Sequence, residues 1–306
     1  MVLSFPYTPK LGWSISRFDT FKMCKRQYYY QYYGKFDREF DLLRINTLKG
    51  LTSVPLEIGN IAHEVIKTLL ERLQVTAKPI DRDRFLSYTD KETLRISTGK
   101  NFSEVYYKEI DSIEPREAIL PRVHLALTNL LDHERLEWLM KEAITEKDDW
   151  VIEPDGYGEC RIDGQKAYCK VDFLFPVGRE IHIYDWKTGK RDDKKHGKQM
   201  RGYVTWAHYH YGIDYDRIKP TVAYLLPEYK ERSIQIDQDD IEVFADRIRE
   251  ESEEMYEFCE DVEENVPRPK EVFQMTDNLK ICAWCNYREL CGREDVRPSA
   301  PEEIPF

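Results

Sequence analysis

One short stretch, Ile181-His182-Ile183-Tyr184-Asp185-Trp186-Lys187-Thr188-Gly189-Lys190, constrains the possible folds of this chain more than any other. Apolar residues alternate along its first half, which is the period-2 pattern of a β-strand. Asp185 and Lys187 stand two residues apart, so both side chains leave the same face of that strand. A surface ion pair is the ordinary explanation for such a pattern, and it would contribute little to stability.

The preceding segment favours a functional explanation. Residues Tyr168 to Phe175 also alternate, and Pro176-Val177-Gly178 predicts a turn back toward Ile181. In such a hairpin Asp172 lies beside Asp185. Two carboxylates and a lysine would then converge, and these groups suit the binding of a hard divalent cation and the activation of a water molecule beside it.

Composition excludes several classes of protein. No stretch of the 306 residues approaches the roughly 18 to 20 consecutive apolar residues that span a bilayer. Residues 1–6 show no secretion signal, so we expect a cytoplasmic protein without a membrane partner. A net charge of −11 argues against indiscriminate nucleic-acid binding. The chain also lacks the G-x4-G-K-[ST] phosphate loop of an ATPase motor.

Charge is distributed unevenly along the chain. The segment from Lys187 to Arg201 holds seven basic residues against two acidic ones. A local basic strip beside the Asp-x-Lys element is a candidate surface for a nucleic-acid backbone, whatever the global charge. Beyond Lys187, its candidate DNA-binding residues are Lys190, Arg191, Lys194, Lys195, Lys198 and Arg201.

Seven cysteines in a cytosolic chain favour metal ligation over disulfides. Cys282, Cys285 and Cys291 form a C-x2-C-x5-C motif. The motif supplies three ligands, so a four-coordinate metal site would need one more. Cys24 is the candidate for the fourth, because its basic sequence neighbours would favour the thiolate. Four thiolates suit either zinc or an iron–sulfur cluster, and the spacing alone favours zinc. The isolated cysteines, predicted to be small buried residues, are Cys160, Cys169 and Cys259.

Two helices are predicted before the strands. Ser14 to Tyr30 fits one serine-capped helix with aromatic residues at helical spacing. Its tyrosines, which run on to Tyr33, could stack on nucleic-acid bases, although such a stripe is more often core. Leu56 to Leu73 is predicted to form the second helix. His63 borders its apolar face, where a lone histidine is usually a packing residue.

The order of elements predicts an α/β fold with a mixed sheet. The predicted strands lie around 150–164, 166–176, 180–186, 221–226 and 233–236. Gln199 starts a further helix and lies on one helical face with Tyr203, and an acidic helix runs from about Asp239 to Glu264. We expect one domain over residues 1–306, divided into a helical region at 14–148, an α/β core at 150–236 and a C-terminal helix and cysteine segment at 238–306. Residues 79–146 form a helical elaboration without a motif.

Taken together, these features resemble the RecB-like branch of the PD-(D/E)XK nucleases, and most closely the iron–sulfur exonucleases of CRISPR systems and AddB-type recombination proteins. One departure is visible, since Lys25 follows Cys24 where the family usually has proline. The motifs occur in family order and span residues 16 to 291. The matching residues are Ser16-Arg17 with Phe21 and Cys24, Gly59-x3-His63-Glu64, Asp172, Asp185-Trp186-Lys187-Thr188-Gly189, Gln199-x3-Tyr203, and the three C-terminal cysteines.

The resemblance implies a restriction-endonuclease-like core and a catalytic metal site. In it, one or two Mg2+ or Mn2+ ions are held by His63, Asp172, Asp185 and the Trp186 carbonyl. Lys187 acts as the catalytic lysine. The resemblance also gives Gln199 and Tyr203 a supporting catalytic role, in which they orient Lys187 or the phosphate.

The resemblance further implies that Cys24 and the C-terminal trio hold a [4Fe–4S] cluster in preference to zinc. Such a cluster would staple the N-terminal helix to the C-terminal segment. The implied activity is hydrolysis of single-stranded DNA or DNA ends by an exonuclease. The alternative is a catalytically silent iron–sulfur or zinc scaffold that binds DNA within a recombination or CRISPR-adaptation complex. Intact Asp172, Asp185 and Lys187 argue against that alternative.

Overall fold

The computed structural model describes residue 5 and residues 8–76, 78–153 and 159–298. Its helices are α1 Ile15–Met23, α2 Lys25–Tyr33, α3 Leu42–Lys49, α4 Val54–Val75, α5 Arg82–Ser97, α6 Ser103–Tyr106, α7 Pro115–Ala118, α8 Leu120–Asp132, α9 Glu134–Lys141, α10 Asp193–Tyr211, α11 Gln238–Tyr256 and α12 Leu279–Cys282. Its strands are β1 Val151–Ile152, β2 Glu159–Ile162, β3 Gln165–Tyr168, β4 Phe173–Val177, β5 Glu180–Lys187, β6 Ile218–Tyr224, β7 Lys230–Ser233, β8 Cys259–Asp261 and β9 Val266–Pro267.

Five strands form a central sheet in the order β1-β4-β5-β6-β7. β5 and β6 are parallel, and the other neighbours are antiparallel, so the sheet is mixed. Helix α10 connects the two parallel strands, as a crossover between parallel neighbours requires. The hairpins β2–β3 and β8–β9 lie outside this sheet.

A hydrophobic cluster packs on each face of the sheet. Phe173 and Tyr184 belong to the cluster that includes α4, α5 and α8, whereas Leu174 and Ile183 belong to the one that includes α1, α2, α10 and α11. Successive strand residues point to opposite faces, so Asp185 shares the α10 face with Ile183. Helices on both faces of a mixed sheet are the α/β architecture predicted from the sequence.

The predicted N-terminal helix is wrong in one respect, because it breaks at Cys24. This residue has extended backbone angles (φ −160°, ψ 113°), ends α1 and begins α2. Its sulfur accepts a hydrogen bond from the Gln27 N–H at 3.5 Å and so caps α2. The helical periodicity of the sequence continues across Cys24, so it did not predict the break.

The tyrosines of α2 belong to the core and do not form an open stacking surface. They pack edge-to-face on one another, and Tyr29 packs at a tilt on Phe273 from the C-terminal segment. Each of four is at most 3% exposed, which excludes them as a platform for nucleic-acid bases; they are Tyr28, Tyr29, Tyr30 and Tyr33.

Several predicted boundaries also shift. The strand predicted at 166–176 is interrupted at residues 169–172, and the one predicted at 233–236 lies earlier, as β7. The acidic helix stops at Tyr256, and a short hairpin occupies most of the remainder. Helix α10 begins six residues before Gln199, because Asp192 caps it by accepting from the Lys195 N–H at 2.9 Å. Part of the strand predicted at 150–164, residues 154–158, lies outside the described residues.

The N-terminal and C-terminal segments are joined by a buried ion pair. The Asp37 side chain, which is 0% exposed, lies 2.8 Å from Lys270. It also accepts backbone hydrogen bonds from Glu39 and Phe40 at 2.9 and 2.8 Å. Burial alone would raise the pKa of Asp37, but the lysine and the two N–H groups outweigh it and lower the pKa below 3.8. Nearby, the Arg26 guanidinium donates to the Phe273 carbonyl at 2.9 Å.

This ion pair should stabilise the junction between the two segments. Asp37→Asn should lower the free energy of unfolding by about 1–3 kcal/mol, because it leaves a buried ammonium poorly paired. Glu39→Gln is the matched control. Glu39 contacts the same lysine at 2.5 Å but is 64% exposed, so its loss should cost about 0–1 kcal/mol. Urea unfolding of both variants measures the difference, and equal losses would contradict the assignment.

The contribution of this ion pair should also depend on pH. Because the pKa of Asp37 is lowered from 3.8, its contribution is complete above pH 3.8 and is lost as pH falls through the folded-state value. Burial opposes the charge of Lys270, but Asp37 and Glu39 outweigh it and raise its pKa above 10.5, so its contribution is lost only at higher pH. The stability difference between wild type and Asp37→Asn should therefore stay constant through neutral pH and shrink below pH 3.8.

Candidate active site

The two predicted carboxylates lie side by side at one end of the sheet. Phe173 of β4 pairs with Tyr184 of β5, so the next positions, Asp172 and Asp185, are neighbours. Asp172 lies just before β4, where its Oδ2 accepts a hydrogen bond from the Trp186 N–H at 2.8 Å. The hairpin predicted from the sequence therefore brings the two acids together.

Lys187 and Tyr203 approach Asp185 from the α10 face of the sheet. The Asp185 side chain is 1% exposed, and Lys187 Nζ lies 2.6 Å from its Oδ2. The Tyr203 hydroxyl accepts from Gln199 at 2.7 Å. It lies 3.4 Å from Asp185 Oδ1 and 3.0 Å from the Lys170 carbonyl, and its single proton can go to either. Tyr203 thus lies beside the Asp185 carboxylate, and Gln199 holds the Tyr203 hydroxyl from the same helix.

His63 enters from the opposite face of the sheet, on α4. This helix approaches β5 closely, since a Cβ at Gly59 would lie 3.3 Å from Thr188 Oγ1. The imidazole Nε2 lies 2.8 Å from the Trp186 carbonyl, to which an N–H there donates. Nδ1 faces Asp172 Oδ2 at 3.5 Å. His63 therefore belongs to the acidic site and is not a packing residue.

Burial and the neighbouring charges shift the pKa values of this cluster in different directions. Burial opposes the charge of His63, but Asp172 outweighs it and raises the pKa of the imidazole to about 9. Burial, followed by the charge of Asp172, raises the pKa of Asp185 to about 6. Burial acts in the same direction on Asp172, but His63 and Lys187 outweigh it, so the pKa of Asp172 is lowered. Two buried carboxylates at neighbouring positions need positive charge, and the protein supplies a lysine and an imidazole.

The donor set fits a divalent cation. Among the described residues, one group of three ligand atoms from histidine, cysteine or carboxylate side chains lies within 4.8 Å of one another, namely His63, Glu153 and Asp172. Asp185 Oδ2 is buried beside Lys187 Nζ, at 2.6 Å. Carboxylates with one imidazole suit Mg2+ or Mn2+, and the nitrogen ligand favours Mn2+. The Trp186 carbonyl accepts from His63 and so orients the imidazole.

Glu153 is the site residue that sequence reasoning missed. It follows the two-residue strand β1, and its Oε1 lies 3.8 Å from His63 Nδ1. No motif or periodicity marks it, because its position depends on the register of β1 against β4. The sequence signal available for Glu153 was a glutamate at the end of a short strand. Such glutamates are too common to indicate a metal site.

Half of the predicted DNA-binding residues have intramolecular acidic partners. Arg191 contacts Asp193 at 2.6 Å, Lys198 contacts Asp19 at 3.1 Å, and Arg201 contacts Asp240 at 2.8 Å. The other three have no carboxylate partner within 4.0 Å among the described residues: Lys190, Lys194 and Lys195. Lys190 and Arg191 lie between β5 and α10, and the other four lie in the first turns of α10.

The four predicted cluster cysteines line a single cavity, although Cys24 is distant from the others in sequence. Arg293 donates to the Cys282 sulfur at 2.9 Å. Burial raises the pKa of Cys285 to about 12 and that of Cys291 to about 11. Lys22 and Lys25, the basic neighbours of Cys24 in sequence, instead contact Glu254 at 3.0 and 3.6 Å. The remaining cysteines are buried elsewhere, as predicted: Cys160, Cys169 and Cys259.

The chain matches a protein-family model over most of its length. Among the described residues, no helix combines the length and the apolar character needed to cross a membrane. No curated protein matches the chain. Among solved structures, the crystal structure of SSO0001 is similar, with 17% identity and a TM-score of 0.30 over 62% of this chain and 79% of that chain. The sequence model of the PD-(D/E)XK nuclease superfamily matches residues 12–292, which include every predicted site residue. This chain therefore belongs to the PD-(D/E)XK nuclease superfamily.

Proposed function

We propose that the protein is a metal-dependent DNA exonuclease that hydrolyses phosphodiester bonds in single-stranded DNA or at DNA ends. The observation that carries the proposal is the convergence of Asp172, Asp185 and Lys187 at one end of the sheet, with His63 reaching them from α4. Intact carboxylates and lysine argue for an active enzyme. The preference for single strands and ends comes from the resemblance to iron–sulfur exonucleases.

Each residue has a defined role in this proposal. Asp172 and Asp185 would hold one or two Mg2+ or Mn2+ ions, with His63 and the Trp186 carbonyl completing the coordination shell. The ion would polarise the scissile phosphate and lower the pKa of a bound water molecule. Lys187, held by Asp185, would offset negative charge that develops on the phosphate. Gln199 and Tyr203 would keep the Asp185 carboxylate in place from α10.

The charged groups after β5 suit the DNA backbone. Lys190, Lys194 and Lys195 are the cations best able to release counterions from DNA, because no carboxylate neutralises them within the described chain. Arg191, Lys198 and Arg201 already hold acidic partners and would have to exchange them for phosphates. Lys194 and Lys195 line one groove together with Lys198 and Arg201, which would give the DNA strand a path along α10.

The cysteine site favours a [4Fe–4S] cluster over zinc. In a tetrahedral zinc site, Zn–S bonds of about 2.3 Å place the sulfurs about 3.8 Å apart. No three of these four sulfurs, all in the described part of the chain, lie within 4.8 Å of one another. Sulfurs spread around a cavity suit a larger cluster, and the Arg293 hydrogen bond to Cys282 would offset thiolate charge. Recombination or CRISPR-adaptation proteins are the partners that the resemblance suggests.

Removal of the catalytic groups tests the proposed activity. Asp185→Asn and Lys187→Ala should each slow the cleavage of end-labelled single-stranded DNA, with Mg2+ or Mn2+, by roughly 100-fold or more, because charge stabilisation at the phosphate is lost. Lys219→Ala is the matched control. It removes a lysine from the opposite end of the same sheet, where Lys219 pairs with His182 of β5, and should leave the rate unchanged. Wild-type rates in folded Asp185→Asn would refute the assigned site.

Salt dependence distinguishes the two groups of basic residues. Each phosphate contact contributes about 0.7 to the slope of log K against log salt for single strands. Lys194→Ala and Lys195→Ala should each reduce the slope by about that amount, whereas Arg201→Ala should reduce it less, because Arg201 is paired with Asp240. Fluorescence anisotropy with labelled DNA and Ca2+ in place of Mg2+ measures the slopes. A larger reduction of this slope in Arg201→Ala than in the two lysine variants would contradict the proposed DNA path.

Cluster assembly can be tested separately from catalysis. Anaerobically purified protein should be brown, with broad absorbance at roughly 400 nm, and Cys24→Ala should lose the colour together with most of the iron. Cys160→Ala, which removes a buried thiol elsewhere, is the matched control and should stay brown. Zinc in place of iron in the anaerobic protein would refute the cluster, and full metal content in Cys24→Ala would refute the four-cysteine site.

A further inference from the structure

Three neighbouring strands of the central sheet each place one carboxylate in the same row. Ile152 of β1 pairs with Phe173 of β4, and Phe173 pairs with Tyr184 of β5. The next position along each strand is acidic, namely Glu153, Asp172 and Asp185. The Glu153 N–H donates to the Asp172 carbonyl at 3.0 Å, so the row continues one residue beyond β1. Asp172 is therefore the middle member of three carboxylates.

The outer two carboxylates of this row have different partners. Asp185 is buried and holds Lys187 at 2.6 Å on the α10 face of the sheet. Glu153 and Asp172 instead converge on His63 Nδ1, at 3.8 and 3.5 Å. The three ligand atoms of His63, Glu153 and Asp172 lie within 4.8 Å of one another, and Asp185 is outside that group.

The imidazole is already oriented as a ligand toward the Glu153 side. Its Nε2 donates to the Trp186 carbonyl at 2.8 Å, which fixes the ring and leaves Nδ1 directed at the two carboxylates. A backbone carbonyl that holds one ring nitrogen while the other binds a metal is a common arrangement at metal sites. One nitrogen and two carboxylate groups form a donor set that suits Mn2+.

We infer that Glu153 is a ligand of the catalytic metal centre and that, with His63 and Asp172, it holds a divalent cation separate from the position between Asp172 and Asp185. Asp172 is shared by the two positions. This inference rests on the proposed nuclease function and extends it, because a centre with two cations can stabilise both the attacking and the leaving oxygen of the phosphodiester.

A structural role for Glu153 is the competing explanation. Its Oε2 lies 3.4 Å from Lys170 Nζ, and the Lys170 side chain is 49% exposed. An ion pair this exposed contributes little to stability. Lys170→Met removes this ion pair and leaves the Glu153 carboxylate in place, so it is the matched control for Glu153→Gln.

The experiment is a Mn2+ titration of the whole 306-residue chain, monitored by calorimetry and by the electron paramagnetic resonance signal of free Mn2+. Wild type should bind two ions. Glu153→Gln should bind one ion normally and the second at least roughly 10-fold more weakly, since even partners of metal ligands cost about 10–100-fold in affinity. Lys170→Met should bind two ions with wild-type affinity or tighter.

Several outcomes would overturn the inference. Two ions with unchanged affinities in Glu153→Gln would refute it, as would equal weakening in Lys170→Met and Glu153→Gln. If Glu153→Gln does not fold, Glu153→Asp replaces it and should weaken only the second ion. A wild-type protein that cleaves DNA but binds one ion would refute this inference alone. A wild-type protein that neither binds Mn2+ nor cleaves DNA would refute the proposed function itself.

Discussion

The site depends on the pairing of β4 with β5, which places two aspartates at neighbouring positions in a buried setting. Two such carboxylates repel each other unless positive charge lies between or beside them. Lys187 meets this need on one face of the sheet and His63 on the other. Burial, followed by the charge of Asp172, raises the pKa of Asp185 to about 6, so ionisation of this carboxyl is unfavourable here. A divalent cation at this position would stabilise the ionised form of Asp185. The repulsion between the two carboxylates would therefore favour metal binding.

Both faces of the sheet are needed to hold these charges in place. The apolar side of α4 packs on Phe173, Tyr184 and their neighbours, and this packing fixes His63 against the Trp186 carbonyl. On the other face α10 packs on the second cluster and brings Tyr203 to Asp185. The connection between the parallel strands β5 and β6 requires a crossover helix, so the lysine-bearing strand leads directly into the helix that supports its carboxylate. The basic residues along this connection lie beside the site for the same topological reason.

The N-terminal and C-terminal segments are joined by contacts that do not involve the cysteines. Asp37 and Lys270 form a buried ion pair, Arg26 contacts the C-terminal backbone, and the tyrosines of α2 pack on Phe273. The break at Cys24 turns its thiol toward the C-terminal trio while α2 continues into this packed region. A cluster that closes so long a loop restricts the unfolded chain most. The packing around the four cysteines already holds the same two segments together, so the proposed cluster would add to an existing junction instead of creating one.

The sequence was most informative where chemistry and local periodicity coincide. Alternation along β5 predicted that Asp185 and Lys187 share a face, and the turn at Pro176-Val177-Gly178 predicted the hairpin that places Asp172 beside them. Cys24 was assigned to the junction by ligand count, but the helical pattern around it concealed the break in the helix. Glu153 could not be found in this way, because β1 has two residues and its register against β4 is set by tertiary packing. The acidic partners of Lys198 and Arg201 were equally hidden, since Asp19 and Asp240 come from α1 and α11. A periodic pattern reports which face a residue occupies, whereas the identity of the groups it meets there depends on how separate elements dock.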